Sequence, residues 1–344
     1  MRPAAAEPAP DRLHLGRLAD VSFRPVFIMG SARSGTSILY RLLTLTERFN
    51  YVSAYHLVRY DELLANHLAG TTAAAKERLA ERFRELGVAG ARFDGVEVSP
   101  DFPEEYGFGL DGGYRMQLRP RTLPRFEEMC RKVQFVSAAG RPLLLKNPWD
   151  SRNFLFIKRA LPQSRFVFIH RNPADVVPSL LEGMRSLLEE RNAYHALLAG
   201  FYDRLMEQPV RLALARLMVS RHLRLGARLM SWQVARMARY FVENVHRLEP
   251  GDHLSVRYED LCRDPAGVVG AVLDFLGLPE NKAVPYGQYI RARRHHPAAN
   301  GDGDPRAILR RRALRPYLAY CGYGAGTNAE HASPAGEGEE TGCR

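Results

Sequence analysis

Residues 30–37, Gly-Ser-Ala-Arg-Ser-Gly-Thr-Ser, have the composition of an anion-binding loop. They follow a short apolar run, residues 26–29, and they precede leucines that recur with helical spacing. Backbone N–H groups at a helix N-terminus attract an anion, and Gly30 and Gly35 allow the backbone to approach that anion closely. This stretch therefore predicts a strand, a loop that binds a phosphate or sulfate group, and a helix.

The loop has the glycine spacing of a nucleotide-binding P-loop, with one change. Thr36 stands where a Walker A loop carries the lysine that reaches the β- and γ-phosphates. Arg33 supplies positive charge instead, and a planar guanidinium can bind two oxygens of one phosphate or sulfate. The loop accordingly favours a nucleotide phosphate bound without a metal. The alternative is a glycine-rich turn that binds nothing.

Two further polar clusters follow apolar runs that are typical of buried strands. Lys146 ends the run 142–145, and Arg171 follows the run 165–170, with Ser179 about two turns into the next predicted helix. Ligands of open parallel sheets bind beyond the C-terminal ends of the strands. We therefore expect Arg171 and Ser179 to bind one phosphate, distinct from the phosphate at the loop. The alternatives are side chains exposed to water and, for Lys146, a lysine that snorkels at a strand end.

The elements that would position these residues alternate between strands and helices. Near-continuous apolar strands separated by helices indicate a parallel sheet covered on both faces. The sequence thus predicts an α/β fold, a P-loop-type parallel sheet flanked by helices on both faces, with a helical insert over about 182–247. The strand candidates are residues 26–29, 49–52, 142–146, 165–170 and 254–258.

The length of 344 residues favours one domain over 21–323, between a flexible N-terminus, 1–20, and a disordered tail, 324–344. The net charge of +11 is compatible with nucleic acid, an anionic membrane surface or anionic small molecules as partners. A basic cluster lies at 291–296, and the arginines between 211 and 228 are typical of the solvated face of a helix.

The four cysteines have no metal-ligand spacing, and they indicate free thiols in a reducing compartment. The first residues have no apolar core of a secretory signal, and no apolar run is long enough to span a bilayer. We expect a cytoplasmic protein without a transmembrane segment. Peripheral contact with a membrane and the oligomeric state are left open.

Four motifs in this order resemble the sulfotransferases that use 3′-phosphoadenosine 5′-phosphosulfate (PAPS). They are the loop at 30–37, Lys-Asn-Pro at 146–148, Arg-Asn-Pro-Ala-Asp-Val-Val-Pro-Ser-Leu-Leu at 171–181, and Val-Arg-Tyr-Glu-Asp-Leu-Cys-Arg-Asp-Pro at 256–265. More narrowly, they resemble the bacterial branch related to tyrosylprotein sulfotransferases. The resemblance covers roughly residues 24–320, and its motifs are specific only in combination.

The resemblance implies PAPS as the sulfuryl donor, adenosine 3′,5′-bisphosphate as the product, and no metal. It assigns the 5′-phosphosulfate to the loop and the 3′-phosphate to Arg171 and Ser179, and Tyr258 matches a position that contacts the cofactor in relatives. The cofactor-binding residues that it implies are Ser31, Ala32, Arg33, Ser34, Gly35, Thr36, Ser37, Arg171, Ser179 and Tyr258.

Catalytic roles follow from the same resemblance. Arg33 would hold the phosphosulfate oxygens, and Lys146 would be the cation at the leaving bridging oxygen. Several relatives place a glutamate base at the end of the strand after the P-loop helix, where this chain reads Ser-Ala-Tyr-His over 53–56. His56 is the substitute, since its ordinary pKa of about 6.5 suits a base at neutral pH. A structural role for His56 is the alternative, with Asp61, Glu104 and Glu105 as other candidate bases.

The sequence thus predicts a sulfotransferase that acts on a hydroxyl of a partly apolar small molecule, lipid or natural product. A P-loop kinase or NTPase is the alternative, disfavoured by Thr36 and by the lack of an obvious acidic ligand for Mg²⁺. A nucleic-acid or membrane-surface binder is the third class, based on charge alone. The segments 60–125 and 182–250 carry little family resemblance, and we expect them to select the acceptor.

Overall fold

The structure, a computed structural model, describes most of the chain. The described residues are 9–88, 92–93, 96–111, 116–221, 223, 225–280, 284–290, 308 and 312–323. Two features of the sequence, the predicted disordered tail over 324–344 and the basic cluster at 291–296, lie outside the described residues.

A five-stranded parallel sheet lies at the centre of the fold, with the strand order β2-β5-β1-β6-β7. A separate antiparallel pair, β3 and β4, forms a small hairpin. The strands are β1 (Pro25–Met29), β2 (Asn50–Tyr51), β3 (Arg92–Phe93), β4 (Val96–Glu97), β5 (Leu143–Lys146), β6 (Arg165–His170) and β7 (His253–Arg257).

The central position of β1 brings three strand ends together. Ile28 is in register with Lys146 of β5, and Met29 is in register with Phe168 of β6. Because all of these strands are parallel, the residues that follow β1, β5 and β6 meet at one edge of the sheet. The loop after Met29, the Lys146 side chain and Arg171 are therefore neighbours.

Helices occupy most of the remaining chain. Among the described residues, none of them is both long and apolar enough to cross a bilayer. The α-helices are α1 (Thr36–Leu45), α2 (Ala54–Val58), α3 (Leu63–Leu68), α4 (Thr72–Glu85), α5 (Leu123–Phe135), α6 (Phe154–Ala160), α7 (Pro173–Glu189), α8 (Ala193–Leu198), α9 (Gly200–Met206), α10 (Pro209–Val219), α11 (Leu225–Asn244), α12 (Tyr258–Arg263), α13 (Pro265–Leu276) and α14 (Arg315–Tyr320).

Both faces of the sheet are covered, which confirms the predicted fold class. Phe27 and Met29 pack with side chains of α5, α6, α7 and α11 on one face. Val26 and Ile28 of the same strand pack with α1 and α13 on the other face. Successive side chains of a strand point to opposite faces, so a strand between two helical layers is apolar throughout.

The helical insert predicted for 182–247 is part of the main core. Helix α7 begins at Pro173, directly after β6, and runs through residue 182 without interruption. Helix α11 buries Val234, Ala238 and Phe241 in the same cluster as the sheet residue Phe168. The segment therefore forms one wall of the domain.

The N-terminal segment differs from the flexible stretch expected over 1–20. Residues 10–18 form a 3₁₀-helix, and the Asp11 carboxylate is buried. Asp11 Oδ2 lies 2.8 Å from Lys132 Nζ, and its Oδ1 accepts a hydrogen bond of 3.0 Å from the Ala65 N–H. A buried acid that pairs with a distant lysine leaves no periodic pattern in the sequence, which is why the expectation missed this contact.

Candidate active site

The loop between β1 and α1 has the geometry of an anion site. Gly35 precedes the helix with φ +96°, and Arg33 also has a left-handed φ of +68°. The Ser34 hydroxyl donates a 2.7 Å hydrogen bond to the Ser31 carbonyl and closes the turn. Helix α1 has no side-chain cap and no acidic residue in its first turn. Its first N–H groups lack intrahelical partners, so they favour an anion.

Gly30 and Gly35 are surrounded too closely for any side chain. A Cβ atom at Gly30 would lie 2.7 Å from the Ile169 carbonyl oxygen of β6. A Cβ atom at Gly35 would lie 2.3 Å from Cδ2 of Tyr258, the first residue of α12. The Tyr258 ring thus rests on the backbone of the loop, although the two are far apart in sequence.

Arg33, Arg171 and Ser179 form one connected cluster. Arg33 Nε donates a 3.1 Å hydrogen bond to Ser179 Oγ, and Arg171 Nη1 donates a 2.8 Å bond to the Arg33 carbonyl. The Arg171 guanidinium lies over the Tyr258 ring, 4.4 Å from its centroid. The loop arginine thus contacts the serine of the second motif, so the two phosphate sites that the sequence predicts would lie next to each other.

The cluster contains a buried hydrogen-bond donor that an anion could satisfy. Arg171 Nε is buried and has no hydrogen-bond partner among the described residues. A buried donor without a partner costs free energy, and a phosphate or sulfate oxygen would satisfy it. Together with the uncapped helix and the two crowded glycines, this donor fits a nucleotide that carries phosphate groups.

Lys146 joins the loop to a carboxylate. It is the last residue of β5, and its side chain is almost fully buried. Nζ donates a 3.1 Å hydrogen bond to Ser37 Oγ in the first turn of α1, and it lies 2.8 Å from Glu105 Oε1. The ammonium therefore bridges the phosphate-binding loop and an acidic group.

Glu105 reaches this position because its segment pairs with the end of β2. Pro103 forms an antiparallel bridge with Ser53, and the Glu104 N–H donates a 2.8 Å hydrogen bond to the Val52 carbonyl. The segment therefore extends the edge of the sheet. From the sequence, Glu104 and Glu105 were only alternative candidates for the base.

Asp150 holds the acidic segment against β5, and sequence reasoning missed it. Its fully buried carboxylate accepts hydrogen bonds from the Tyr106 hydroxyl at 2.8 Å, the Leu118 N–H at 3.1 Å and Asn147 Nδ2 at 2.8 Å. Burial raises the pKa of Asp150, although these hydrogen bonds oppose the shift. The only sequence signal is its position three residues after the asparagine of the Lys-Asn-Pro motif.

Glu104 lies deeper than Glu105. The Tyr194 hydroxyl from α8 donates to Glu104 Oε1, and the Glu105 N–H donates a 3.1 Å bond to Oε2. Burial raises the pKa of Glu104 to about 7, with a further increase from the neighbouring charge of Glu105. Glu104 therefore changes its protonation state close to neutral pH.

His56 has a structural role as a helix cap. Its Nδ1 accepts a 3.1 Å hydrogen bond from the Ser53 N–H, and the Ser53 side chain accepts one from the His56 N–H, which is a capping box at the start of α2. Burial lowers the pKa of His56 to about 4, and the Lys76 charge adds to this decrease.

The surroundings of His56 differ from those of the loop. Its ring lines a cavity of about 210 Å³ together with Lys76 and Asp101. Arg141, which precedes β5, lines the same cavity, whereas Lys146 lies at the opposite end of that strand. Asp61 is exposed in the 3₁₀ turn Tyr60–Glu62, beside the N-terminal helix.

A second cavity lies directly under the loop. It has a volume of about 30 Å³ and is lined by Gly30, Ser31 and Ser34 together with apolar residues of α11. His170 lies in its wall with hydrogen bonds to Tyr317 Oη and Ser255 Oγ, and burial lowers the pKa of this histidine to about 4. Among the described residues, no group of three or more acidic, histidine or cysteine side chains could hold a metal ion.

These features define an α/β protein whose glycine-bounded loop carries Thr36 at the position of the Walker lysine and a positive charge at Arg33. The sequence model of the sulfotransferase family matches residues 25–282, and the chain belongs to that family. The resemblance found from the sequence motifs is thereby confirmed at the family level. The narrower relation to tyrosylprotein sulfotransferases stays a prediction.

Two mycobacterial proteins are similar in sequence. Both are omega-hydroxy-beta-dihydromenaquinone-9 sulfotransferases Stf3, one from Mycobacterium bovis and one from Mycobacterium tuberculosis. Each is 27% identical over 281 residues, which covers 74% of this chain. The chain spans 63% of the length of these relatives.

Two solved structures share the fold. Sulfotransferase STF9 from Mycobacterium avium has a TM-score of 0.58 at 16% identity, covering 90% of this chain and 79% of that one. Sulfotransferase STF1 from Mycobacterium tuberculosis has a TM-score of 0.51 at 15% identity, covering 87% of this chain and 79% of that one. At this identity the likeness concerns the fold alone.

Proposed function

We propose that this protein transfers a sulfuryl group from PAPS to a hydroxyl of an apolar acceptor. The observation that carries the proposal is the cluster of Arg33, Arg171 and Ser179 at the N-terminus of α1, in a chain of the sulfotransferase family. The cluster supplies two guanidinium groups, hydroxyls and free helix N–H groups within one site. A donor with phosphate groups at two positions of its ribose matches this set.

The donor would be held by the residues that the sequence motifs indicate. The loop Ser31–Ser37 would bind the 5′-phosphosulfate, and Arg171 with Ser179 would bind the 3′-phosphate. Tyr258 would contact the nucleotide from its place on the Gly35 backbone. When bound, the donor supplies a sulfuryl group that an acceptor oxygen can attack in line while the nucleotide phosphate leaves.

Lys146 and Glu105 would perform the charge and proton chemistry. The Lys146 ammonium, buried beside the first turn of α1, would stabilise negative charge on the leaving oxygen. Glu105 is partly accessible and its Oε1 lies 2.8 Å from that ammonium, so its carboxyl group is placed to act as a base for the acceptor proton. We therefore place Glu105 ahead of His56, whose Nδ1 accepts the Ser53 N–H.

The acceptor is proposed to be a lipid with a terminal hydroxyl. The similar mycobacterial proteins are named for omega-hydroxy-beta-dihydromenaquinone-9, a hydroxylated menaquinone derivative. An acceptor of this kind would bury its chain among apolar side chains and present its hydroxyl to Glu105.

Calorimetry with adenosine 3′,5′-bisphosphate, compared with ATP and Mg²⁺, tests the donor. We expect the bisphosphate to bind and ATP with Mg²⁺ to bind much more weakly, because Thr36 replaces the Walker lysine. Tight binding of ATP with Mg²⁺ and release of ADP would instead support the kinase or NTPase alternative. Transfer of labelled sulfate from PAPS to hydroxylated quinones, other lipids and phenols then tests the acceptor class.

A further inference from the structure

The segment 210–232 exposes an unusual number of large apolar side chains. Helix α10 buries only Val219, although six of its eleven residues are Leu, Val or Met. Leu214, Leu217 and Met218 share one helical face, and Val210 at its start is 73% exposed. We call the whole set the α10–α11 surface. Its members are Val210, Leu214, Leu217, Met218, Leu223, Leu225 and Trp232.

The chain around this surface is strongly basic. Residues 208–242 contain seven arginines and no aspartate or glutamate. Arg211, Arg228 and Arg236 are exposed, and the Arg236 guanidinium lies 4.4 Å from the centroid of the Trp232 ring. Arg221 pairs with Glu182 of α7 at 3.2 Å. Exposed leucine and tryptophan side chains with arginines among them are typical of helices that lie in the interface of an anionic membrane.

The α10–α11 surface rests on the helices that build the active site. Arg185 of α7 donates a 2.7 Å hydrogen bond to the Val219 carbonyl at the end of α10. Six residues earlier, α7 carries Ser179, which contacts Arg33. On α11, Trp232 faces solvent while Phe241 lines the cavity under the loop. Helices α7 and α11 therefore connect the α10–α11 surface to residues of the site.

We propose that the α10–α11 surface docks on an anionic lipid bilayer. Exposed leucines would enter the boundary between headgroups and acyl chains, and the arginines would attract anionic headgroups. A second copy of this chain is a poorer occupant, because a symmetric contact would bring the same arginines face to face. The idea that this docking delivers the acceptor to the site rests on the proposed function. The binding to membranes does not depend on it.

Flotation of the full chain with vesicles tests the docking. We expect binding to vesicles of phosphatidylcholine and phosphatidylglycerol, and much weaker binding to phosphatidylcholine alone. Leu214→Ser with Leu217→Ser should lower the partition coefficient by about tenfold or more. Arg211→Gln with Arg228→Gln should lower it by a similar factor and weaken its dependence on salt.

Matched controls lie on the exposed side of the N-terminal helix. Leu13 is 89% exposed there, and Arg12 and Arg17 are exposed beside it. Leu13→Ser, and Arg12→Gln with Arg17→Gln, should leave vesicle binding unchanged. Equal losses in these controls, or no loss in the α10–α11 variants, would overturn the proposal. A dimer in sedimentation velocity that the Leu214 and Leu217 changes abolish would overturn it in favour of a second copy.

A spectroscopic readout is independent of activity. The chain has two tryptophans, Trp149 and Trp232, so Trp149→Phe isolates the emission of Trp232. We expect this emission to shift to shorter wavelength when phosphatidylglycerol vesicles are added, and an unchanged spectrum would count against docking. Binding of adenosine 3′,5′-bisphosphate by every variant serves as the folding control. If the unaltered protein also failed to bind this nucleotide, the proposed function would be contradicted, but the vesicle result would still stand.

Discussion

The Lys146 ammonium lies 2.8 Å from Glu105 Oε1 and 3.1 Å from Ser37 Oγ. This contact joins three parts of the chain: the end of β5, the segment that extends β2, and the first turn of α1. It places a buried cation and a carboxylate beside a loop that fits phosphate or sulfate. The first two predictions test whether this pair performs the proposed chemistry.

Glu105→Gln should lower kcat for sulfuryl transfer by about 10²-fold or more, because a general base commonly contributes that factor. Binding of adenosine 3′,5′-bisphosphate should change little. His56→Ala is the comparison, and it should affect stability rather than turnover, since loss of a helix cap costs about 1 kcal/mol. A large loss of kcat in His56→Ala with normal turnover in Glu105→Gln would restore His56 as the base.

Lys146→Met should lower kcat by about 10²-fold or more, the usual effect of removing a group that stabilises transition-state charge. Lys158→Met is the matched control, because Lys158 is also partly buried and ion-paired, with Asp252 at 2.7 Å. Steady-state kinetics of both variants checks the role. Normal turnover in Lys146→Met, or an equal loss in Lys158→Met, would exclude Lys146 from the reaction.

Ser179→Ala should weaken the binding of adenosine 3′,5′-bisphosphate by about tenfold or more, because a hydrogen bond to a charged group is lost. The same change frees Arg33 Nε from its 3.1 Å contact with this hydroxyl. Ser186→Ala provides the control, since Ser186 is an exposed serine of the same helix. Equal affinities of the two variants in calorimetry would show that Ser179 does not contribute to the nucleotide site.

Gly35→Ala should abolish nucleotide binding and destabilise the fold. Gly140→Ala isolates the backbone contribution, because Gly140 has φ +77° and a Cβ atom added there would have nothing within 4 Å. We expect Gly140→Ala to cost about 1–2 kcal/mol. Gly35→Ala should cost more, because its Cβ also meets the Tyr258 ring. Equal free energies of unfolding in urea would show that the ring contact carries no penalty.

The pH dependence of stability should reflect Glu104. Burial raises its pKa from 4.5 to about 7, so the folded state binds the proton more tightly than the unfolded state. Its contribution is therefore fully present below about pH 4.5 and is lost as the pH rises through about 7. Glu104→Gln should flatten this decline in urea unfolding between pH 5 and 8, whereas exposed Glu81→Gln should not. An unchanged pH profile in Glu104→Gln would contradict the shifted pKa.

The fold was largely predictable because its signals are local. The apolar run before Gly30 and the helical spacing after Thr36 identified β1 and α1, and the run 165–170 coincides with β6. The division of the chain between α3 and α4, where Gly70 has φ +69°, was less predictable.

The candidate site was predictable only in part. Motif order identified Arg33, Lys146, Arg171 and Ser179, since each follows a strand at the ligand edge of the sheet. It could not show that Arg33 contacts Ser179, because that distance depends on how α7 packs against the loop. Motif order also favoured His56 over Glu105. The bridge between Ser53 and Pro103 brings Glu105 to the site, but it joins segments without a regular pattern and could not be predicted from the sequence.

The amino-acid sequence by itself predicted the class of chemistry, from a glycine-bounded loop with Arg33 and without the Walker lysine, and from strands that end in cations. These are properties of residue type and spacing, so they can be recognised without knowledge of the tertiary structure. Tertiary structure alone decided the partners of those cations. Lys146 meets Glu105, and Arg171 meets the Arg33 carbonyl, because parallel strands β5, β1 and β6 are neighbours in space although they are distant in sequence.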